Sequence, residues 1–131
     1  MSTNKQELND WSNRIIGAAI ETHRYIGGPG LLEKVYEEAF AIELAFAGFK
    51  VERQVYLPVS YKGHTLESPL ILDLLVNDSI IIECKATEKY NAIYETQLMT
   101  YLRVAQKSLG LVINFGEKFV RDGIHRVVNK F

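Results

Sequence analysis

With 131 residues, 47% of them apolar and 24% charged, the chain has the material for one hydrophobic core and reads as a single unit over residues 1–131. A net charge of −1 argues against a generic nucleic-acid coat, whose affinity comes from Lys and Arg displacing counterions at phosphates, although local basic patches can still steer a strand. No apolar run approaches the roughly 20 residues that span a bilayer, residues 1–10 lack the apolar stretch of a secretory signal, and the lone Cys84 cannot form an internal disulfide, which together predict a cytoplasmic protein that avoids membranes.

From Glu7 to Tyr25 the residues Leu8, Trp11, Ile15, Ala18, Ala19 and Ile20 keep helical spacing, predicting an amphipathic helix. Gly27-Gly28-Pro29-Gly30 stops it, and a second helix follows from about Leu31 to Ala47, before Gly48. The period then changes to two: Phe49, Val51, Val55, Leu57, Val59 and Tyr61 share one face of a half-exposed strand, with Lys50, Glu52 and Gln54 on the other. Lys62-Gly63-His64 supplies a turn, and the apolar runs Leu70 to Val76 and Ile80 to Lys85 predict two mostly buried strands joined by Asn77-Asp78-Ser79. Asn91 to Lys107 has helical spacing, Leu109 to Phe115 reads as a buried strand, and a last strand is expected from about Lys118 to Val128. The order is α-α-β-β-β-α-β-β, in which Ile80 to Phe115 forms a βαβ unit with parallel strands.

The charges inside the apolar runs carry the chemistry. Asp73 interrupts Leu70 to Val76, and Glu83 and Lys85 end the next strand, where unpaired ions are costly to bury. Residues two apart on a strand share a face, so Glu83 and Lys85 point together and Cys84 points into the opposite layer, where it should be buried and unreactive. A loop of odd length pairs Val76 with Ile80 and sets Asp73 opposite Glu83, Cβ atoms roughly 4.5–5.5 Å apart; an even loop would put the carboxylates on opposite faces. Two such carboxylates repel, and all-oxygen ligation suits Mg²⁺ or Mn²⁺, with Lys85 placed to orient water or offset charge on a phosphate. The competing explanation is structural: Lys85 salt-bridged to Glu83, and Asp73 to an arginine.

Gly30-Leu31-Leu32-Glu33-Lys34-Val35-Tyr36 matches the Gly-x-x-Glu-x-x-Tyr signature of the GxxExxY protein family. Asp73-Leu74-Leu75-Val76, Glu83-Cys84-Lys85, Gln97 to Leu102 and Gly110 to Gly116 resemble its later blocks in order. That resemblance, from about Ile15 to Val128, implies membership of the PD-(D/E)XK nuclease superfamily: an α/β, restriction-endonuclease-like core with a mixed central sheet flanked by helices, and a divalent metal. It further implies that Asp73, Glu83 and the Cys84 carbonyl ligate the metal, that Glu33 on the preceding helix completes the shell with Tyr36 on the same face, and that Gln97 and Tyr101, four apart, face the site or the substrate strand. Glu33 also reads as a solvated first-turn acid, and Tyr101 as plain core. The family often carries an arginine two residues before the Asp, where this chain has Ile71 flanked by Leu70 and Leu72. His23, His64 and His125 lack metal-like spacing.

Two functions follow as expectations. One is a metal-dependent nuclease acting on DNA or RNA, with Asp73, Glu83, Lys85 and Glu33 catalytic; small nucleases of this kind frequently dimerise to cut two strands. The other is an inactive nuclease-fold module that binds a partner or nucleic acid, favoured by the net charge of −1.

Overall fold

The computed structural model describes residues 4–130; residues 1–3 and 131, included in the single unit expected above, lie outside it. Helix α1 spans Lys5–Ile26: Asn4 caps it by accepting the Glu7 N–H at 2.8 Å, and Gly27, at φ 106°, ends it with its own N–H on the His23 carbonyl. Helix α2 spans Glu33–Phe46 and leads through Gly48, at φ 91°, into strand β1, Val51–Leu57. Strands β2 (Ser60–Tyr61) and β3 (His64–Thr65) form a separate ribbon. Then follow β4 (Leu70–Val76), β5 (Ile80–Lys85), α3 (Ile93–Ala105), β6 (Leu109–Asn114) and β7 (Ile124–Val128).

The main sheet has the order β1-β4-β5-β6-β7. Only β5 and β6 run parallel, joined through α3 as the βαβ unit requires. Ile15, Phe40 and Leu44 from α1 and α2 pack on one face of the sheet, against Leu74, Ile82 and Leu111. Leu98 and Leu102 of α3 pack on the other, against Ile81 and Val112. α3 lies so close that a Cβ on Gly110 would come within 2.8–2.9 Å of the Leu98 side chain.

Two strand expectations are corrected. The half-exposed strand stops at Leu57, because Pro58 has no N–H for a ladder, and Lys62 and Gly63, both at positive φ, fold the following residues into the β2–β3 ribbon. The last strand begins at Ile124 instead of Lys118, because Val120–Gly123 winds into a short 3-10 helix.

β1 also departs from a simple period of two. Arg53 pairs with Leu74 and Val55 with Leu72, so no residue is inserted, yet Gln54, opposite Asp73, leaves the ladder at φ 52°. The facing of both strands inverts at this point. Val51, Leu74 and Val76 pack beneath α1 and α2, whereas Val55, Leu57 and Leu72, of the same parity, pack beneath α3. A non-glycine residue in the left-handed region signals strain held in place by its surroundings. Here it lies on the edge strand β1, opposite Asp73.

Candidate functional site

The β4–β5 hairpin has the odd register. Asn77 and Asp78 take φ 52° and 54°, Ser79 N–H closes on the Val76 carbonyl at 3.0 Å, and Val76 pairs with Ile80. Pairing continues to Leu74 and Ile82 and then gives way to side chains. Asp73 N–H donates to Glu83 Oε2 at 2.9 Å, and Cys84 N–H donates to Asp73 Oδ2 at 2.9 Å. The two strands part, and each carboxylate occupies the place that the partner strand's carbonyl would have taken. One oxygen of each acid, Asp73 Oδ1 and Glu83 Oε1, is left without a backbone donor among the described residues.

This placement raises both acids. Burial pushes Asp73 up to about 6, opposed by the Cys84 N–H and reinforced by Glu37 and Glu33. Burial and the neighbouring Asp73 push Glu83 up to about 8, with the Asp73 N–H and Lys85 pulling the other way. Both acids therefore keep their protons to higher pH than an ordinary carboxyl, Glu83 longer than Asp73. Lys85 is not salt-bridged to either acid among the described residues; its ammonium sits 4.6 Å from the centre of the Tyr94 ring, close enough to act electrostatically on Asp73, Glu83 and Glu33. The salt-bridge alternative for Lys85 and Glu83 thus has no counterpart here.

Helix α2 contributes more than the sequence indicated. Glu33 is exposed, yet its carboxyl is raised by partial withdrawal from water, and it feels Lys85 and Glu37. Glu37, one turn further on, is only 3% exposed and was missed. Its carboxylate accepts from Arg53 Nη2 at 3.1 Å and from Gln54 Nε2 at 3.0 Å, and Gln54 Nε2 reaches on to Asp73 Oδ1 at 3.5 Å. The kink at Gln54 swings its amide to this bridging position, away from the outer face where alternation put it. The i, i+4 spacing of Glu33 and Glu37 was the available signal for Glu37. Nothing local in Val51 to Leu57 marks Gln54.

The remaining expected residues divide. Tyr101 is half-buried on α3, and its hydroxyl is raised by burial and then by Glu83 and Asp73, which are close enough to act on it electrostatically. Gln97 is exposed one turn before it. Cys84 is wholly buried among the α1 and α2 contacts, with a thiol pushed well up by burial, so only its backbone faces the site. Tyr36 is corrected: it is fully buried, its ring lies 5.0 Å from and nearly parallel to that of Phe115, and its hydroxyl donates to the Gly28 carbonyl at 2.7 Å. Those bonds fix the glycine-rich turn before α2 and leave Tyr36 no surface for a substrate. His23 is core, its Nε2 donating to the Phe115 carbonyl at 3.1 Å.

Among the described residues, no three His, Cys, Asp or Glu side chains are gathered as a ready-made metal cage. The donor set nevertheless fits a hard divalent cation in kind: carboxylate oxygens raised chiefly by burial, with further acids of α2 close enough to act on them.

A mixed five-stranded sheet between helices, parting at an Asp and a Glu with a Lys two residues beyond, defines the restriction-endonuclease-like class of folds. A family model of the PD-(D/E)XK nuclease superfamily matches residues 9–127, and the chain belongs to that superfamily. No curated protein and no solved structure matches it significantly.

Proposed function

We propose that the chain is a divalent-metal-dependent nuclease hydrolysing phosphodiester bonds of DNA or RNA. The observation that carries this reading is the crossed pair of hydrogen bonds that holds Asp73 and Glu83 together, both raised, where β4 and β5 separate. Acids perturbed by burial together with a charged neighbour are candidates for a functional site. Asp73, Glu83 and the Cys84 carbonyl would hold Mg²⁺ or Mn²⁺, with Glu33 as a further acid from α2. A bound ion would polarise a phosphoryl oxygen and acidify a water there. Lys85, held over Tyr94, offsets negative charge on the phosphate or orients the water. Gln54 and Arg53 fix Glu37 beside Asp73, and Tyr101, with Gln97 one turn before it, would border the path of a strand on the α3 side.

The second reading, a non-catalytic module on the same fold, is favoured by the absence of three converged ligand side chains among the described residues. Labelled single-stranded and duplex DNA and RNA, incubated with purified protein with and without Mn²⁺, separates the two. The nuclease reading expects Mn²⁺-dependent cleavage that Lys85→Ala reduces by at least about 100-fold, the scale of one lost electrostatic contact in a catalytic site. No cleavage of any substrate would hand the lead to the interaction module, and equal Mn²⁺-dependent cleavage by Lys85→Ala would remove Lys85 from the catalytic set.

A further inference from the structure

A cleft of about 580 Å³, within the ~300–1,000 Å³ range of small-ligand pockets, opens beside the end of α1 and is lined by His23, Arg24, Gly28, Lys118, Phe119 and Arg121, among others. None of the acids described above belongs to its wall. Three cations rim it. Arg24 is already held by Glu21 through a bidentate contact, its Nε and Nη2 each donating at 2.9 Å. Lys118 and Arg121 make no ion pair with a carboxylate among the described residues; their charged ends lie 5.5 Å and 6.0 Å from the centre of the Phe119 ring. Phe119 is 54% exposed, so its ring is open to a ligand, although other large side chains such as Phe46 and Tyr56 are more exposed still.

The segment that carries these side chains is tied firmly to the end of β5. Phe115 N–H donates to the Lys85 carbonyl at 2.7 Å. Wholly buried Asn114 accepts from Thr87 N–H at 2.9 Å and Gly116 N–H at 3.0 Å, and donates to the Thr87 carbonyl at 3.0 Å. On the opposite wall, Gly28 is fixed by Tyr36, three residues after Glu33. The cleft is therefore braced on both sides to elements that bear the acids. It supplies what the acids cannot, positive charge in a chain whose net charge is −1.

Resting on the nuclease reading, we infer that this cleft binds an unpaired nucleotide of the substrate strand, with the base on Phe119 and adjacent phosphates against Lys118 and Arg121. An exposed aromatic ring flanked by cations is the arrangement that holds single strands, because every base offers a face for stacking. A duplex keeps its bases stacked inside and gains only the phosphate contacts. The chemistry is common to DNA and RNA.

Fluorescence anisotropy, in EDTA so that nothing is cut, tests this with labelled oligothymidylate, oligouridylate (each about 15 nucleotides) and a duplex. The three probes are compared on the parent, Phe119→Ala and the double variant Lys118→Glu with Arg121→Glu. All three side chains are exposed, and circular dichroism checks that each variant folds. The parent should bind single strands better than duplex. Phe119→Ala should weaken single strands at least about fivefold with little effect on duplex, and charge reversal should weaken both by tenfold or more and flatten the salt dependence. The relative strength of the two oligonucleotides tells DNA from RNA. Equal binding by all three proteins, or a parent that prefers duplex, overturns the inference, and does so alone if the parent still cleaves with Mn²⁺. Loss of binding in the variants together with a parent that never cleaves overturns the nuclease reading and leaves the cleft standing.

Discussion

At the scale of single residues, the centre of this molecule is a strained glutamine. Gln54 holds φ 52° opposite Asp73 and uses the turn to bond Glu37, which is otherwise a buried acid with one arginine. Gln54→Ala removes those contacts while keeping the left-handed backbone, so it should cost about 1.5–3 kcal/mol, the worth of a hydrogen bond to a charged group. Gln54→Gly removes the same contacts but relieves the strain, and should be more stable than the alanine variant by about 1 kcal/mol. Urea denaturation of the two variants checks the difference; glycine no better than alanine would mean that the backbone at Gln54 stores no strain. Sequence alternation could not have revealed this residue, because the face inversion at 54 and 73 is a property of two strands together.

Among the elements, the legible ones were those with a continuous apolar run or a plain stop signal. β4 and β5 have the expected bounds, since Leu70 to Val76 and Ile80 to Ile82 admit no other partner than a core, and the odd Asn77-Asp78-Ser79 loop fixed Asp73 beside Glu83. Glu83, Lys85, Glu33 and Tyr101 were placed near one another through that register and the helices that flank it. The errors came from tertiary contacts. Residues 118–123 look strand-like by composition, but Gly123 passes so close to Asn114 that a Cβ there would lie 2.5 Å from its carbonyl oxygen, and the chain coils to make that approach. Tyr36 matched a signature position, and only its burial against Phe115 shows that the position serves the fold. The joint between β5 and β6 gives a prediction of its own. Asn114→Ala strands the part-buried N–H groups of Thr87 and Gly116, so it should destabilise by about 2–6 kcal/mol at ~1–3 kcal/mol for each group left unpaired. Chemical denaturation measures it, and a loss under about 0.5 kcal/mol, the lower edge of a single net hydrogen bond, would mean that the joint is dispensable.

For the whole molecule, the acid pair sets the pH dependence of stability. Both folded values, about 6 for Asp73 and about 8 for Glu83, lie above the ordinary 3.8 and 4.5. The folded state therefore binds protons more tightly than the unfolded chain, and the stability this contributes is present at low pH and lost as pH rises through the folded values. Metal-free protein should melt at a lower temperature near pH 8.5 than near pH 5.5, and Glu83→Gln, which cannot ionise, should remove most of that slope. A parent that melts higher at pH 8.5, or a slope unchanged in Glu83→Gln, would show that these acids are not raised. No helix among the described residues is long and apolar enough to cross a membrane.

The claim beneath all of this is that Asp73 and Glu83 form a site completed by a divalent cation, and calorimetric titration of Mn²⁺ into metal-free protein addresses it most directly. Because burial raises both acids and an ion requires them deprotonated, the parent should bind Mn²⁺ with proton release near neutral pH, seen as a heat that changes with the ionisation enthalpy of the buffer. Asp73→Asn, which keeps an oxygen for the Cys84 N–H but removes a charge, should lose at least tenfold in affinity while remaining folded. Absence of binding at millimolar Mn²⁺, or binding by Asp73→Asn equal to that of the parent and without proton release, would contradict the account.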